Sequence, residues 1–286
     1  MGGTRYDLGA RDDRAKKAGY GFKSAGEIFT QNSLRMAHES MNPNGITFRE
    51  ARDSEVHPNS VPIILGLDVT GSMGHIPHEL IKEGLPKLMG GIIQGGVPDP
   101  ALLFLGIGDH ECDRYPLQVG QFESGDEELD MWLTRTYIEG GGGGNGGESY
   151  LLAWYFAAFH TKTDAFEKRG QKGLLFTVGD EPNLGTLPAS AIKEIMGQGQ
   201  QTYTALELLK EAQKHYEVYH ISVLHSDQAV RANVAWKELL GENCLSIEDH
   251  REIPNIITKL ICDKHKSNAS GLGTIPSDGL ENIEML

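Results

Sequence analysis

Cysteine is scarce and scattered: Cys112, Cys244 and Cys262 are the only three in 286 residues. An odd number at wide spacing makes no disulfide framework and points to free thiols in a reducing compartment. Cys112 sits in DHECDR with His110, but no second Cys or His pair is near, so the stretch reads as an incidental loop and not a zinc site. Long apolar runs are missing as well, none approaching the roughly 18 to 20 residues that span a bilayer. The opening MGGTRYDLGARDDRAKK has no apolar region and so no secretory leader. Tyr6 stands where a myristoylation signal following Gly2 would carry Ser or Thr. Basic clusters are lacking too, with 26 basic residues against 40 acidic and a net charge of −14. That balance argues against nucleic acid and anionic membranes, both of which reward dense Lys and Arg. No internal repeat is visible, and the default expectation is a cytoplasmic address.

What the chain does have is a regular alternation of apolar runs and helical periodicity. Val61 to Leu67 is continuously apolar, follows the polar ARDSEVHPNS, and predicts a parallel strand buried on both faces. Ala101 to Ile107, Gly173 to Val178, Glu217 to Leu224 and Cys244 to Ile247 predict further strands, and the alternation in Pro116 to Phe122 predicts an edge strand with one wet face. From Ile76 to Ile93 apolar residues recur at three- and four-residue steps, the mark of an amphipathic helix. Pro77 suits its first turn, whereas Pro86 should kink or end it. Helices are also expected over Asp126 to Thr134, Pro188 to Met196, Tyr203 to Gln213, Gln228 to Leu240 and Ile253 to Cys262. Tyr150 to Phe159 is apolar all round, as a buried central helix would be.

These elements predict an α/β fold: a doubly wound, mostly parallel, six-stranded Rossmann-like sheet with one antiparallel edge strand beside the second strand. Residues 61–264 form that domain. Residues 1–60 read as a polar arm, with a short helix from Ser24 to Met36, lying on the domain or awaiting a partner. Residues 265–286 read as a loose tail.

The first strand ends in Asp68, followed at alternate positions by Thr70 and Ser72. A carboxylate and two hydroxyls at the carboxyl end of a strand stand where open α/β sheets place ligands. Oxygen donors suit Mg²⁺, or Mn²⁺ and Ca²⁺, better than zinc or copper. The plain alternative is a turn that caps the next helix. A second carboxylate, Asp180, follows the Gly173 to Val178 strand in TVGDEP. Between them lies the glycine run Gly140 to Gly147, read as a site-forming loop in preference to a linker. A G-x-G-x-x-G pattern can be traced in it, but no clear strand precedes it, as a dinucleotide site requires. Asp109 and Asp113 are expected as solvated rim residues, and His75 and His78 as exposed first-turn histidines.

The DxTxS spacing of Asp68, Thr70 and Ser72 within DVTGSM resembles the metal-ion-dependent adhesion site of von Willebrand factor type A domains. The order of elements resembles that fold over about Val61 to Lys264. The resemblance implies a Mg²⁺ ion bound directly by Thr70 and Ser72, with Asp68 and Asp180 holding its waters. The family's second loop commonly gives a Thr, and none stands between Gly140 and Ser149. Asn145, Glu148 and Ser149 are there instead; Glu148 is taken as the ligand, with Ser149 in reserve. An acid occupies the matching place in integrin β subunits, and the glycine-rich loop looks like those of type A domains found with atypical α-kinases. The implied function is a protein-interaction module whose cation accepts an acidic residue of a partner. Glu148 as a direct ligand would neutralise part of the ion's charge and weaken that exchange.

Two other readings remain. A metal-dependent phosphoester hydrolase would use the same ion to clamp phosphate, but no nucleophile and base pair is evident. A haloacid-dehalogenase arrangement would need an Asp where Thr70 stands. The third reading is a structural component with a vestigial metal site. A non-enzymatic protein is expected.

Overall fold

The computed structural model describes residues 4–140 and 145–271. Its main sheet comprises β1 (Val61–Asp68), β2 (Pro100–Ile107), β3 (Leu117–Val119), β4 (Gly173–Gly179), β5 (Tyr216–Val223) and β6 (Cys244–Ile247). The spatial order is β6-β5-β4-β1-β2-β3, parallel throughout except for β3. This is the α/β architecture that the sequence pattern predicts.

The central strand β1 shows why a continuous apolar run was needed. Ile63, Leu65 and Leu67 face one apolar layer, closed by α2 (Leu85–Gln94), α3 (Asp126–Thr134) and α8 (Ile253–Gly271). Ile64 faces the other, closed by α4 (Tyr150–Phe159), α5 (Ala189–Met196), α6 (Ala205–Ala212) and α7 (Asp227–Leu240). A fully buried Ile or Leu contributes about 1.5–3 kcal/mol, so each layer alone outweighs any local preference of these short segments. Residues Tyr150 to Ala157 of α4 are all buried, which accounts for its unbroken apolar text.

Four local expectations need correction. The edge strand is shorter than Pro116 to Phe122, and its three residues are all buried, with no wet face. Gln118 explains this: its side-chain amide exchanges 2.8 Å bonds with the backbone N–H and C=O of Tyr137, so the segment after α3 closes the sheet edge. Pro86 does not end its helix. His75–Glu79 continues through a π turn, Leu80–Gly84, into α2, and Pro86 falls in the first turn of α2, where a missing N–H is tolerated. The expected helix from Ser24 to Met36 is two short ones, Ala25–Ile28 and Gln31–Leu34, the second stopped by Arg35 in the left-handed region at φ 52°. The last helix runs nine residues beyond Cys262, to Gly271. Residues 272–286 of the expected tail lie outside the described residues, as do 141–144 of the glycine run.

The N-terminal segment is packed on the domain. Its helix α1 (Leu8–Ala18) sets Arg11 and Arg14 against Asp126 and Asp130 of α3, and Phe29 is completely buried. No helix among the described residues is long and apolar enough to cross a membrane.

Candidate metal-binding site

Asp68 closes β1 at the carboxyl edge of the sheet and is 1% exposed. The backbone N–H and hydroxyl of Thr70 both donate to its Oδ1, at 2.9 and 2.6 Å. The hydroxyl of Tyr150 donates to Oδ2 at 2.8 Å. Burial nevertheless pushes the carboxyl up to about 7; those three bonds oppose it, and the nearby Asp180 charge adds to it.

Ser72 is exposed, and its hydroxyl donates to Asp180 Oδ1 at 3.1 Å, joining the loop after β1 to the loop after β4. Asp180 Oδ2 meets Nε2 of His225, also at 3.1 Å. The segment entering α4 is stitched to the same β4 loop. The Glu148 N–H donates to the Pro182 carbonyl at 2.9 Å, and its carbonyl accepts from Leu184 N–H at 3.3 Å. Gly147 allows that approach, since a Cβ there would lie 2.9 Å from the Pro182 carbonyl oxygen.

Asp68, Thr70, Ser72, Glu148 and Asp180 are thereby gathered on one edge of the sheet. Glu148 is 5% exposed, and its Oε2 has no hydrogen-bond partner among the described residues. Burial first, then the charges of Asp68, Asp113 and Asp109, push its carboxyl up to about 9, against the pull of the Thr70 hydroxyl. No Lys or Arg pairs with Asp68, Glu148 or Asp180 among the described residues; the one basic contact is His225.

Ser149, the reserve ligand, is engaged elsewhere. Its hydroxyl accepts from the His110 N–H at 2.8 Å and lies 2.7 Å from His110 Nδ1. Asn145 donates to Asp109 Oδ2 at 2.7 Å and to Glu111 Oε2 at 2.9 Å. Asp109 itself corrects an expectation: it is no solvated rim residue but is fully buried. Its Oδ1 accepts from Glu111 N–H at 2.9 Å, Asn145 covers Oδ2 and the Cys112 thiol also bonds the carboxylate, so groups of the chain itself satisfy it. Asp113 is half-buried and accepts from the Asp109 N–H at 2.8 Å. His75 is exposed, edge-on to His250 at 4.6 Å between ring centres, whereas His78 is half-buried with Nε2 3.2 Å from the Lys23 carbonyl.

Among the described residues, no group of three or more His, Cys, Asp or Glu is arranged to hold a metal ion. The gathered set depends on two hydroxyls, so it does not form a cage of acids alone. Two members escaped sequence reasoning. Tyr150 lies in an apolar run and reads as core, and His225 stands beyond β5 with no motif around it; only its place after a strand end could have flagged it.

No family model and no curated protein matches the sequence. Among solved structures, the fold is similar to the pilus adhesin SpaC from Lactobacillus rhamnosus GG, with 12% identity and a TM-score of 0.48 over 76% of this chain and 32% of the adhesin. It is similar to proximal thread matrix protein 1 from the mussel byssus, with 9% identity and a TM-score of 0.47 over 76% of this chain and 49% of that one. An aerotolerance-related membrane protein from Bacteroides fragilis is similar at 12% identity and a TM-score of 0.41, over 71% of this chain and 99% of its own. The chain thus spans about a third of the adhesin and about half of the byssus protein.

Proposed function

We propose that the chain is a protein-interaction module of the von Willebrand type A kind that binds a divalent cation, Mg²⁺ by preference, at the edge marked by Asp68. Thr70, Ser72 and Glu148 would hold the ion. Asp68 and Asp180 would hold its waters, which suits Asp68 because both its oxygens already accept bonds from Thr70 and Tyr150. When bound, the cation supplies an electrophilic centre that an acidic side chain of a partner can complete.

One observation carries this reading. Among the described residues, three carboxylates, none more than 5% exposed, converge without a Lys or Arg, and one oxygen of Glu148 has no partner. Buried charges persist only when paired or metal-bound; otherwise the carboxyls keep their protons. A hard dication would supply the missing counter-charge and the missing partner.

The test is thermal unfolding with Mg²⁺ and with EDTA. Binding to the folded state alone stabilises by about 2.7 kcal/mol at a hundredfold excess over Kd, so the melting temperature should rise with Mg²⁺ and fall back with EDTA. Asp68→Ala should remove both effects. An identical melting curve with and without the ion refutes the proposal.

A further inference from the structure

A cleft of about 530 Å³ lies between residues 36–44 of the N-terminal segment, the loop before β3 and helix α5. That volume is in the range of clefts that enclose a ligand, roughly 300–1,000 Å³. It adjoins the edge described above but does not depend on a metal. His110, on its wall, holds the Ser149 hydroxyl beside Glu148, and Asp113, also on its wall, is one of the charges that Glu148 feels.

The lining combines two characters. Met36, Tyr115, Pro116 and Ile195 give it apolar surface; Met36 is 46% exposed, and its near neighbour Leu34 is 61% exposed. Glu39, Asp113 and Glu194 give it acids, against Arg114 as the single Lys or Arg. Glu39 and Glu194 are exposed, and neither forms an ion pair among the described residues. Arg114 is drawn over the Tyr115 ring, 5.2 Å from its centre. Glu111, exposed on the loop between the cleft and Asn145, extends the acidic field toward Glu148.

From this we infer that the cleft receives an extended segment of a partner protein that bears Lys or Arg among apolar residues. Residues 272–286 are the wrong sign, carrying Asp278, Glu281 and Glu284 with no Lys or Arg. A second copy is repelled as a whole by its net charge of −14, yet its exposed Lys16, Lys17, Phe22 and Lys23 share the occupant's chemistry, so self-association of the chain through this cleft in the same buffer is an outcome that overturns the inference. A cationic segment gains from each acid, opposed on the wall by Arg114 and from behind His38 by Arg135, while its apolar side chains cover Met36 and Ile195.

The test is selection from a random peptide library displayed on phage, panned on the whole chain in EDTA at low salt so that no cation contributes. Selected sequences, synthesised with amidated ends, are titrated by fluorescence anisotropy against the wild type, Glu39→Lys/Glu194→Lys and Glu127→Lys/Glu242→Lys, the last reversing two exposed acids outside the lining. Expected are peptides rich in Lys or Arg with apolar neighbours, weakened about tenfold by the reversal in the cleft and by raised salt, and nearly unchanged by the reversal outside it. An unaltered melting temperature shows that each double variant is folded. Failure to enrich any peptide, enrichment of acidic or neutral ones, or equal binding to the variant reversed in the cleft overturns the inference. Failure of Mg²⁺ to stabilise the protein would refute the metal site alone, since the cleft is assayed without metal.

Discussion

Arg11 donates to the carbonyl of Ile81 because Pro86 cannot. In the π turn after the Ser72 loop, the Leu85 N–H reaches back five residues to the Leu80 carbonyl. The next bond in that register would run from residue 86 to Ile81, and proline has no N–H to give. The guanidinium of Arg11, 1% exposed, fills the gap, also reaching the Lys82 carbonyl at 3.5 Å and Asp130 at 3.4 Å. A residue of the N-terminal segment thus completes the helix that the candidate site opens onto.

Arg11→Met should therefore destabilise the fold by roughly 3 kcal/mol, the lower end of the cost of breaking a buried pair, because Arg14 still compensates Asp130 at 3.2 Å. Pro86→Ala restores an N–H to the turn, so the double variant should lose less than the sum of the two single variants. Urea unfolding of the four proteins measures the coupling. Strictly additive losses would show that Arg11 and Pro86 are not linked through the turn.

Tyr150→Phe removes the bond to Asp68 Oδ2 and leaves the ring in place. A hydrogen bond to a charged group contributes about 1.5–3 kcal/mol, and a loss of that size is expected above about pH 7, where Asp68 is ionised, again by urea unfolding. Gly179→Ala should be worse: a Cβ there would lie 1.8 Å from the Tyr150 hydroxyl oxygen and 2.5 Å from the ring carbon that bears it. A Gly179→Ala protein as stable as wild type would show that the Tyr150 ring is not held against Gly179.

The difference between what the sequence disclosed and what it hid follows from distance along the chain. β1 and the Asp68, Thr70 and Ser72 spacing were legible because one continuous segment carries both the apolar run and the donors. Asp180 was legible as the residue after a strand. The burial of Asp109 was not, because Asn145, 36 residues on, supplies one of its partners. The closed edge at Gln118 needs Tyr137, and the unbroken helix at Pro86 needs Arg11, neither of which any local window contains. Tyr150 was hidden differently: its ring belongs to the core and only its hydroxyl to the site.

His220 sets an acid limit on stability. Fully buried, it lies nearly flat on Trp236, with ring centres 3.7 Å apart, and its Nδ1 is 2.9 Å from the Thr177 hydroxyl. Burial pushes its pKa down to about 3, below the ordinary value near 6.5. The unfolded chain then binds the proton first, so stability is present above about 6.5 and falls as the pH drops toward 3. His220→Phe keeps the stack and cannot charge. Its stability relative to wild type should rise by up to about 1.4 kcal/mol per pH unit below 6.5. Parallel stability profiles for the two proteins would rule this out.

Asp68 and Glu148 act with the opposite sign. Their carboxyls are raised to about 7 and about 9, chiefly by burial, above ordinary values near 4. Without metal, the folded state keeps protons that the unfolded chain has lost. That contribution is full below about pH 4 and disappears as the pH rises through about 7 and then about 9. A cation at this edge competes with those protons, so its binding should tighten over the same interval. The rise in melting temperature produced by Mg²⁺ should accordingly grow between pH 6 and pH 9. Glu148→Gln carries no proton to displace and should flatten the upper part of that growth. Melting curves at matched ionic strength, with Mg²⁺ and with EDTA, give the comparison. A Mg²⁺ increment independent of pH would place the cation away from these two carboxylates.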